Sequence, residues 1–217
     1  MKTKKSLLRL FVVVCAVIFS AQVIYAEAEA VIKLTAPKMD GGMPLMQALK
    51  ERKSEREFSD KPLSVEMLSN LLWAANGISR PDSGKRTAPT AMNCQEIDIY
   101  VAMKDGLYFY DAKKNELILV LKDDIRAATG MQDFVADAPV NLIFVLDRKK
   151  GEKLGEHTEF YGATDTGYIS QNVYLFCASE GLNTVVRGWF DGEVLGKAMN
   201  LRADQKVILT QTVGYKK

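Results

Sequence analysis

Residues 52 to 56 read Arg52-Lys53-Ser54-Glu55-Arg56, two guanidinium groups, an ammonium and a hydroxyl within one short stretch. Guanidinium forks give phosphate oxygens bidentate, charge-assisted hydrogen bonds and a serine adds a donor, so the composition is that of a phosphate clasp. Taken alone, the run from Lys50 to Glu57 also reads as a solvated helix face, because acids are interspersed with the bases. Other phosphate motifs fail. GxGxxG is absent, and Gly77 to Lys85 is no P-loop, since Arg86 stands where a serine or threonine should follow the lysine. Cys94 and Cys177 have 82 residues between them and no CxxC or Cys/His ligand spacing, which argues against a zinc site and leaves two free, mostly buried thiols as the expectation. The only histidine, His157, lies in Gly155-Glu156-His157-Thr158-Glu159, the setting of a polar helix start rather than of a catalytic dyad.

The elements that must position these groups follow from the hydrophobic pattern. Val31 to Leu34 suits an edge strand or arm, and Leu45, Met46 and Leu49 recur at helical spacing in a helix that runs into Lys50 to Arg56. Ser64 is placed to cap a second helix carrying Met67, Leu68, Leu71, Leu72 and Ala75, which Gly77 ends. Ile97, Ile99 and Val101 alternate as a strand, Leu107–Tyr110 and Glu116–Leu121 form a hairpin, and Asp123 or Asp124 starts a brief helix. Val140 to Leu146 is a continuous apolar run of strand length, hence the central strand. The longest helix is expected from Glu159 to Glu180 with Gly181 beyond its end, with Ile169, Val173, Leu175, Phe176 and Ala178 inward. Asp191 or Gly192 begins another helix, and Lys206 to Tyr215 closes the sheet. Strands and helices intermix without a βαβ repeat, so the fold class is α+β.

Four ordered segments carry a resemblance: RxSxRxF from Arg52, APTAMNCQ from Ala88, APVNLIFVLD from Ala138, and DTGYISQNVYLFCASEGLNTVVRG from Asp165. Together they resemble the nitroreductase family over most of the chain. The stretch from Leu71 to Asp111 is similar in texture to the branch containing the dehydrogenases of thiazole/oxazole peptide clusters. The resemblance implies an FMN enzyme with a central, mostly antiparallel sheet flanked by helices, built as a homodimer with interfacial active sites. It assigns Arg52, Lys53, Ser54 and Arg56 to the FMN phosphate and ribityl oxygens, and Pro89, Thr90, Ala91 and Asn93, with Gln95 close behind, to the loop laid on the flavin by the partner subunit. Thr90 replaces the usual serine and keeps the hydroxyl. Val186, Arg187 and Gly188 match a turn after the long helix, where family backbone N–H groups face the flavin N5 and O4 edge and Arg187 would add charge. Gln171 and Asn172 match a familiar pair expected to be buried amides that satisfy loop backbone. The basic residue that relatives carry beyond the last strand is supplied by Lys216 or Lys217, and Val31 to Pro37 is expected to replace the C-terminal arm that clasps relatives' dimers. The implied reaction is ping-pong two-electron reduction of a nitroaromatic, a quinone or a similar small acceptor, with NAD(P)H as the family's usual donor. No side-chain nucleophile, acid or base is required. A non-catalytic flavin-binding or interaction protein on the same scaffold is the alternative.

Composition sets the outer limits. With 217 residues, 47% of them hydrophobic and 26% charged, the chain is one globular domain rather than a disordered or low-complexity one. Its first 26 residues hold Lys2, Lys4, Lys5 and Arg9 and no acid, so the net charge of +2 becomes slightly negative without them, leaving no general basic footprint for nucleic acid. That basic start, an apolar run to Tyr25 and small residues around Ala26 have the order of a secretory signal. Cleavage after Ala26, or alternatively Ala28, leaves residues 27–217 as the FMN-binding domain and places the protein in the periplasm or outside the cell. An uncleaved segment would instead anchor it in the membrane. Cys15 lies mid-run, away from a lipidation site, and no twin-arginine pair is present. The donor poses a difficulty for an exported enzyme, because NAD(P)H is scarce outside the cytoplasm.

Overall fold

The computed structural model describes residues 30–217; the expected signal segment, residues 1–26, lies outside them. Seven strands form one sheet: β1 (Val31–Lys33), β4 (Ile97–Met103), β5 (Gly106–Asp111), β6 (Glu116–Leu121), β7 (Val140–Asp147), β8 (Leu182–Arg187) and β9 (Gln205–Tyr215). Their order is β1-β6-β5-β4-β7-β9-β8, and every pairing is antiparallel. Two short strands, β2 (Ile78–Arg80) and β3 (Lys85–Arg86), make a separate hairpin. The helices are α1 (Leu45–Glu51), α2 (Val65–Asn76), α3 (Phe134–Asp137), α4 (Thr158–Glu180) and α5 (Gly192–Ala198).

All eight residues of β7 are buried, because β4 and β9 cover its edges and apolar layers cover both faces. On one face Leu142, Phe144 and Leu146 pack with Leu71, Leu72, Ile169, Val173 and Cys177 of α2 and α4. On the other, Ile143 and Val145 pack with Leu195, Met199 and Val207. Each such side chain contributes about 1.5–3 kcal/mol of burial. The long helix seats closely on β7 at Gly162, where an added Cβ would lie 2.8 Å from Leu146 Cδ1.

Helix boundaries follow their caps. Ser64 Oγ accepts the Met67 N–H, Asp191 accepts those of Glu193 and Val194, and Gly181 ends α4 in the left-handed region at φ 70°. Three expectations are corrected. The first helix stops at Glu51 instead of continuing to Arg56, since Arg52 turns out of helical geometry at ψ 123°. The helix expected from Asp123 or Asp124 is a 3-10 turn at Arg126–Thr129. In α4, Tyr174 and Cys177 are buried, whereas Leu175, Phe176 and Ala178 are only half-buried. Cys94 and Cys177 are both free, Cys94 half-buried and Cys177 fully so.

Candidate functional site

The strip at residues 52–56 is held by the long helix and the last two strands. Its Glu55 N–H donates to Thr184 O at 3.0 Å, the Asn183 amide donates to Glu57 O at 2.7 Å, and the Ser59 N–H donates to Tyr215 O at 2.9 Å. These bonds draw the chain against β8 and the end of β9, which is why helix propensity loses there. The hub is Tyr174 of α4. Its hydroxyl shares a 2.7 Å hydrogen bond with Ser54 Oγ and accepts the Val186 N–H at 3.0 Å, while the Arg52 guanidinium lies 5.2 Å from its ring centre. Phe58, at the end of the strip, is buried with Val185 and Ala138.

Charge in the strip is uneven. Lys53 pairs with Glu55, and that contact holds the Glu55 carboxyl below its ordinary range and raises the Lys53 ammonium. Lys216 lies close enough to Glu55 to lower it further. Lys53 is therefore partly neutralised. Arg52 and Arg56 have no ion-pair partner among the described residues, and Arg56, Ser54 and Lys216 are exposed. Arg56, like Lys216, feels the Glu55 carboxylate, yet two guanidinium groups outside any salt bridge, a hydroxyl and an ammonium along one edge suit a dianionic phosphate.

The segment Val186-Arg187-Gly188 is not a turn after the helix. Val186 and Arg187 are the last residues of β8, opposite Gln211 and Thr210, and only exposed Gly188 lies beyond the strand. The Val186 N–H is already bonded to Tyr174. The Arg187 side chain leaves by the opposite face of the sheet, donates to Thr129 O and Asn141 Oδ1 at 2.8 Å each, and lies over the Phe134 ring. It is 5% exposed, and burial pushes it down to about 10. Arg187 braces the segment around residues 126–138, with its guanidinium directed away from the Tyr174 side of Val186.

The loop Pro89 to Gln95 is strained and braced. Met92, Asn93 and Gln95 have φ of 51°, 54° and 52°, left-handed residues on either side of right-handed Cys94, each costing on the order of 1 kcal/mol. Its supports are the Thr90 hydroxyl, which accepts the Gln95 N–H at 3.1 Å, and Asp165 of α4, whose Oδ2 accepts the Ala91 N–H at 2.9 Å. Gln95 faces inward as a brace, accepting from half-buried Arg86 and donating to Gly84 O. Pro89, Met92 and Asn93 are exposed and Ala91 is half-buried, so the loop presents its outer surface to whatever covers it.

Asp165 and Tyr174 anchor the two halves of the candidate site and are nine residues apart on one helix. At 1.5 Å and 100° per residue they are separated by about 13 Å along the axis and by about 180° around it. Within a single chain, the phosphate strip and the strained loop therefore lie on opposite flanks of α4. The sequence reading did not single out Tyr174, Asp165 or Arg86. A signal existed for Asp165, the one charged residue between Glu159 and Glu180. Of the expected amide pair, Asn172 bonds Ala75 O at 3.3 Å, whereas Gln171 is exposed rather than buried.

Comparison with known proteins agrees with this geometry. The profile of the Nitroreductase family matches residues 49–215. A crystal structure of a protein described as a nitroreductase from Ralstonia eutropha is 44% identical, with a TM-score of 0.84 over 87% of this chain and 90% of that one. A protein of Methanocaldococcus jannaschii, also described as a nitroreductase, is 31% identical over 162 residues, 69% of this chain and 81% of that protein. A crystal structure from Desulfovibrio desulfuricans, described as a nitroreductase in complex with FMN, shares the fold at 23% identity and a TM-score of 0.60, covering 80% of this chain and 87% of that one.

Proposed function

The chain belongs to the nitroreductase family, and on that premise we propose that it is an FMN-dependent oxidoreductase acting as a homodimer. In this reading a small reductant and then a small acceptor, a nitroaromatic or quinone, use the same slot in turn. The observation that carries the reading is the strip at the start of the match: Arg52 and Arg56 outside any salt bridge among the described residues, Ser54 fixed by Tyr174, and Lys216 beside them. Bound FMN would supply the two-electron chemistry; the residues supply position and electrostatics. Arg52, Ser54, Arg56 and Lys216 would hold the phosphate, with Lys53 a weaker contributor. Tyr174 ties the strip to β8, so phosphate position and the backbone at Val186 and Gly188 are set together. The separation of the two half-sites along α4 favours a second copy of the chain as the source of Pro89, Thr90, Ala91 and Asn93, which would cover the ring and exclude water.

The amino-terminal sequence supports export to the periplasm or beyond, where a quinol rather than NAD(P)H would be the donor at hand. That same feature supports the second reading, a flavin-binding protein without turnover. Purified protein should show flavin absorbance, lose it on addition of NAD(P)H or a quinol, and regain it with a nitroaromatic or a quinone. Bound flavin that no donor bleaches would favour the second reading; failure to take up added FMN would overturn both.

A further inference from the structure

Beneath the strained loop lie two carboxyl groups that the proposed chemistry does not use. Glu96, between the loop and β4, is 0% exposed, and Asp165 is 2% exposed. Asp165 Oδ2 accepts the Ala91 N–H at 2.9 Å and is the long helix's hold on the loop. Beyond Glu96's own backbone N–H, no donor reaches either of its carboxyl oxygens; the group they meet is the Asp165 carboxyl. Two acids in contact in a closed site cannot both be ionised cheaply, whereas one proton between them turns repulsion into a hydrogen bond. Gly151 closes the stem of Glu96, since an added Cβ there would stand 3.5 Å from Glu96 Cβ and 2.8 Å from Thr158 Cγ2. Cys94 stands beside the pair, its thiol pushed up by burial and by both carboxyls, and Lys153 acts on Cys94 in the opposite sense.

We propose that Glu96 and Asp165 share a single proton and that this proton clamps the Pro89–Asn93 loop. With the proton in place, Asp165 keeps a full carboxylate oxygen for Ala91 and the left-handed residues stay seated. When it leaves, two like charges face each other in a closed space and the loop loosens. Both acids are thus positioning residues, acting through the loop. Burial and the neighbouring acid push Glu96 up from 4.5 to about 7. Because the folded protein binds this proton more tightly than the unfolded chain, the contribution is complete below about 4.5 and is lost as pH rises through about 7. The consequence for cofactor binding rests on the flavin reading above; the clamp itself does not.

Infrared spectra of the flavin-free protein should show a protonated-carboxyl band at about pH 6 that disappears with a midpoint near 7 and is absent in Glu96→Gln. Amide exchange at Ala91, corrected for intrinsic rates, should speed up by on the order of tenfold between about pH 6 and pH 9 in the wild type and stay flat in Glu96→Gln, whose amide mimics the protonated acid. The FMN dissociation constant should rise over the same range in the wild type only. If Glu96→Gln does not fold, Asp165→Asn decides, because removing the neighbouring charge should lower the Glu96 midpoint. A wild-type spectrum without the band, or Ala91 exchange indifferent to pH, overturns the proposal. Infrared and exchange need no cofactor, so a clamped protein that takes up no FMN would sink the flavin reading and leave this inference standing.

Discussion

Arg52 keeps its guanidinium at the edge of the protein against one aromatic ring, so removing it should cost ligand affinity and little stability. Arg52→Ala is expected to weaken FMN binding by on the order of tenfold to a hundredfold, read from flavin fluorescence quenching, with an unchanged denaturation curve. Arg52→Lys should restore only part of that, because an ammonium lacks the fork. Tyr174→Phe should do both kinds of damage. It deprives Ser54 and the Val186 N–H of their partner, at about 1–3 kcal/mol in urea denaturation, and should raise the FMN dissociation constant by freeing the strip. Arg52, Ser54 and Arg56 were legible because charge and hydroxyl spacing survive in one dimension. Tyr174 was not, since a tyrosine in Asn172-Val173-Tyr174-Leu175-Phe176 looks like ordinary helix packing until the tertiary structure brings residue 54 to its hydroxyl. The bracing role of Arg187 was not legible for a related reason: a strand sends neighbouring side chains to opposite faces, and the sequence does not say which face each one takes.

At the scale of elements, the braces on the sheet's far face should matter for stability alone. Arg187→Ala removes hydrogen bonds to Thr129 O and Asn141 Oδ1, which keep second donors in the Thr210 and Thr212 hydroxyls, so a loss of about 1–3 kcal/mol is expected in denaturant titrations. Gly130→Ala should be damaging for the same reason, because its Cβ would lie 2.0 Å from Arg187 Nη1. Losing the Ser64 cap is milder: Ser64→Ala should lower stability by about 1 kcal/mol. Caps and terminators such as Ser64, Gly181 and Asp191 were readable because they act through neighbouring backbone. The end of α1 was not. Good helix formers continue past Glu51, and only long-range bonds to Thr184, Asn183 and Tyr215 pull the segment away. The strained loop was recognised as a motif, yet its left-handed residues carry ordinary side chains and gave no sign of the conformation.

For the whole molecule, the sheet order was not readable, because β4 and β7, or β8 and β9, meet across long intervals of chain that one-dimensional periodicity does not connect. Six of the seven sheet strands and the buried centre at Val140 to Leu146 were readable from hydrophobicity, whereas β8 was not, because its end at Val186-Arg187-Gly188 read as a turn. What the fold adds is the distance between the half-sites. Tyr174 and Asp165 leave opposite flanks of one helix, so in the proposed dimer the strip at Arg52 of one copy and the loop at Asn93 of the other would enclose a single ligand together. Subunit complementation tests this most directly. One copy carries Arg52→Ala with Arg56→Ala, the other carries Ala91→Pro, which removes the N–H given to Asp165, and differently tagged heterodimers are titrated with FMN. Each homodimer should bind weakly, and the heterodimer should recover wild-type affinity at half of its sites. A heterodimer that binds no better than its parents would contradict a flavin site shared between two chains.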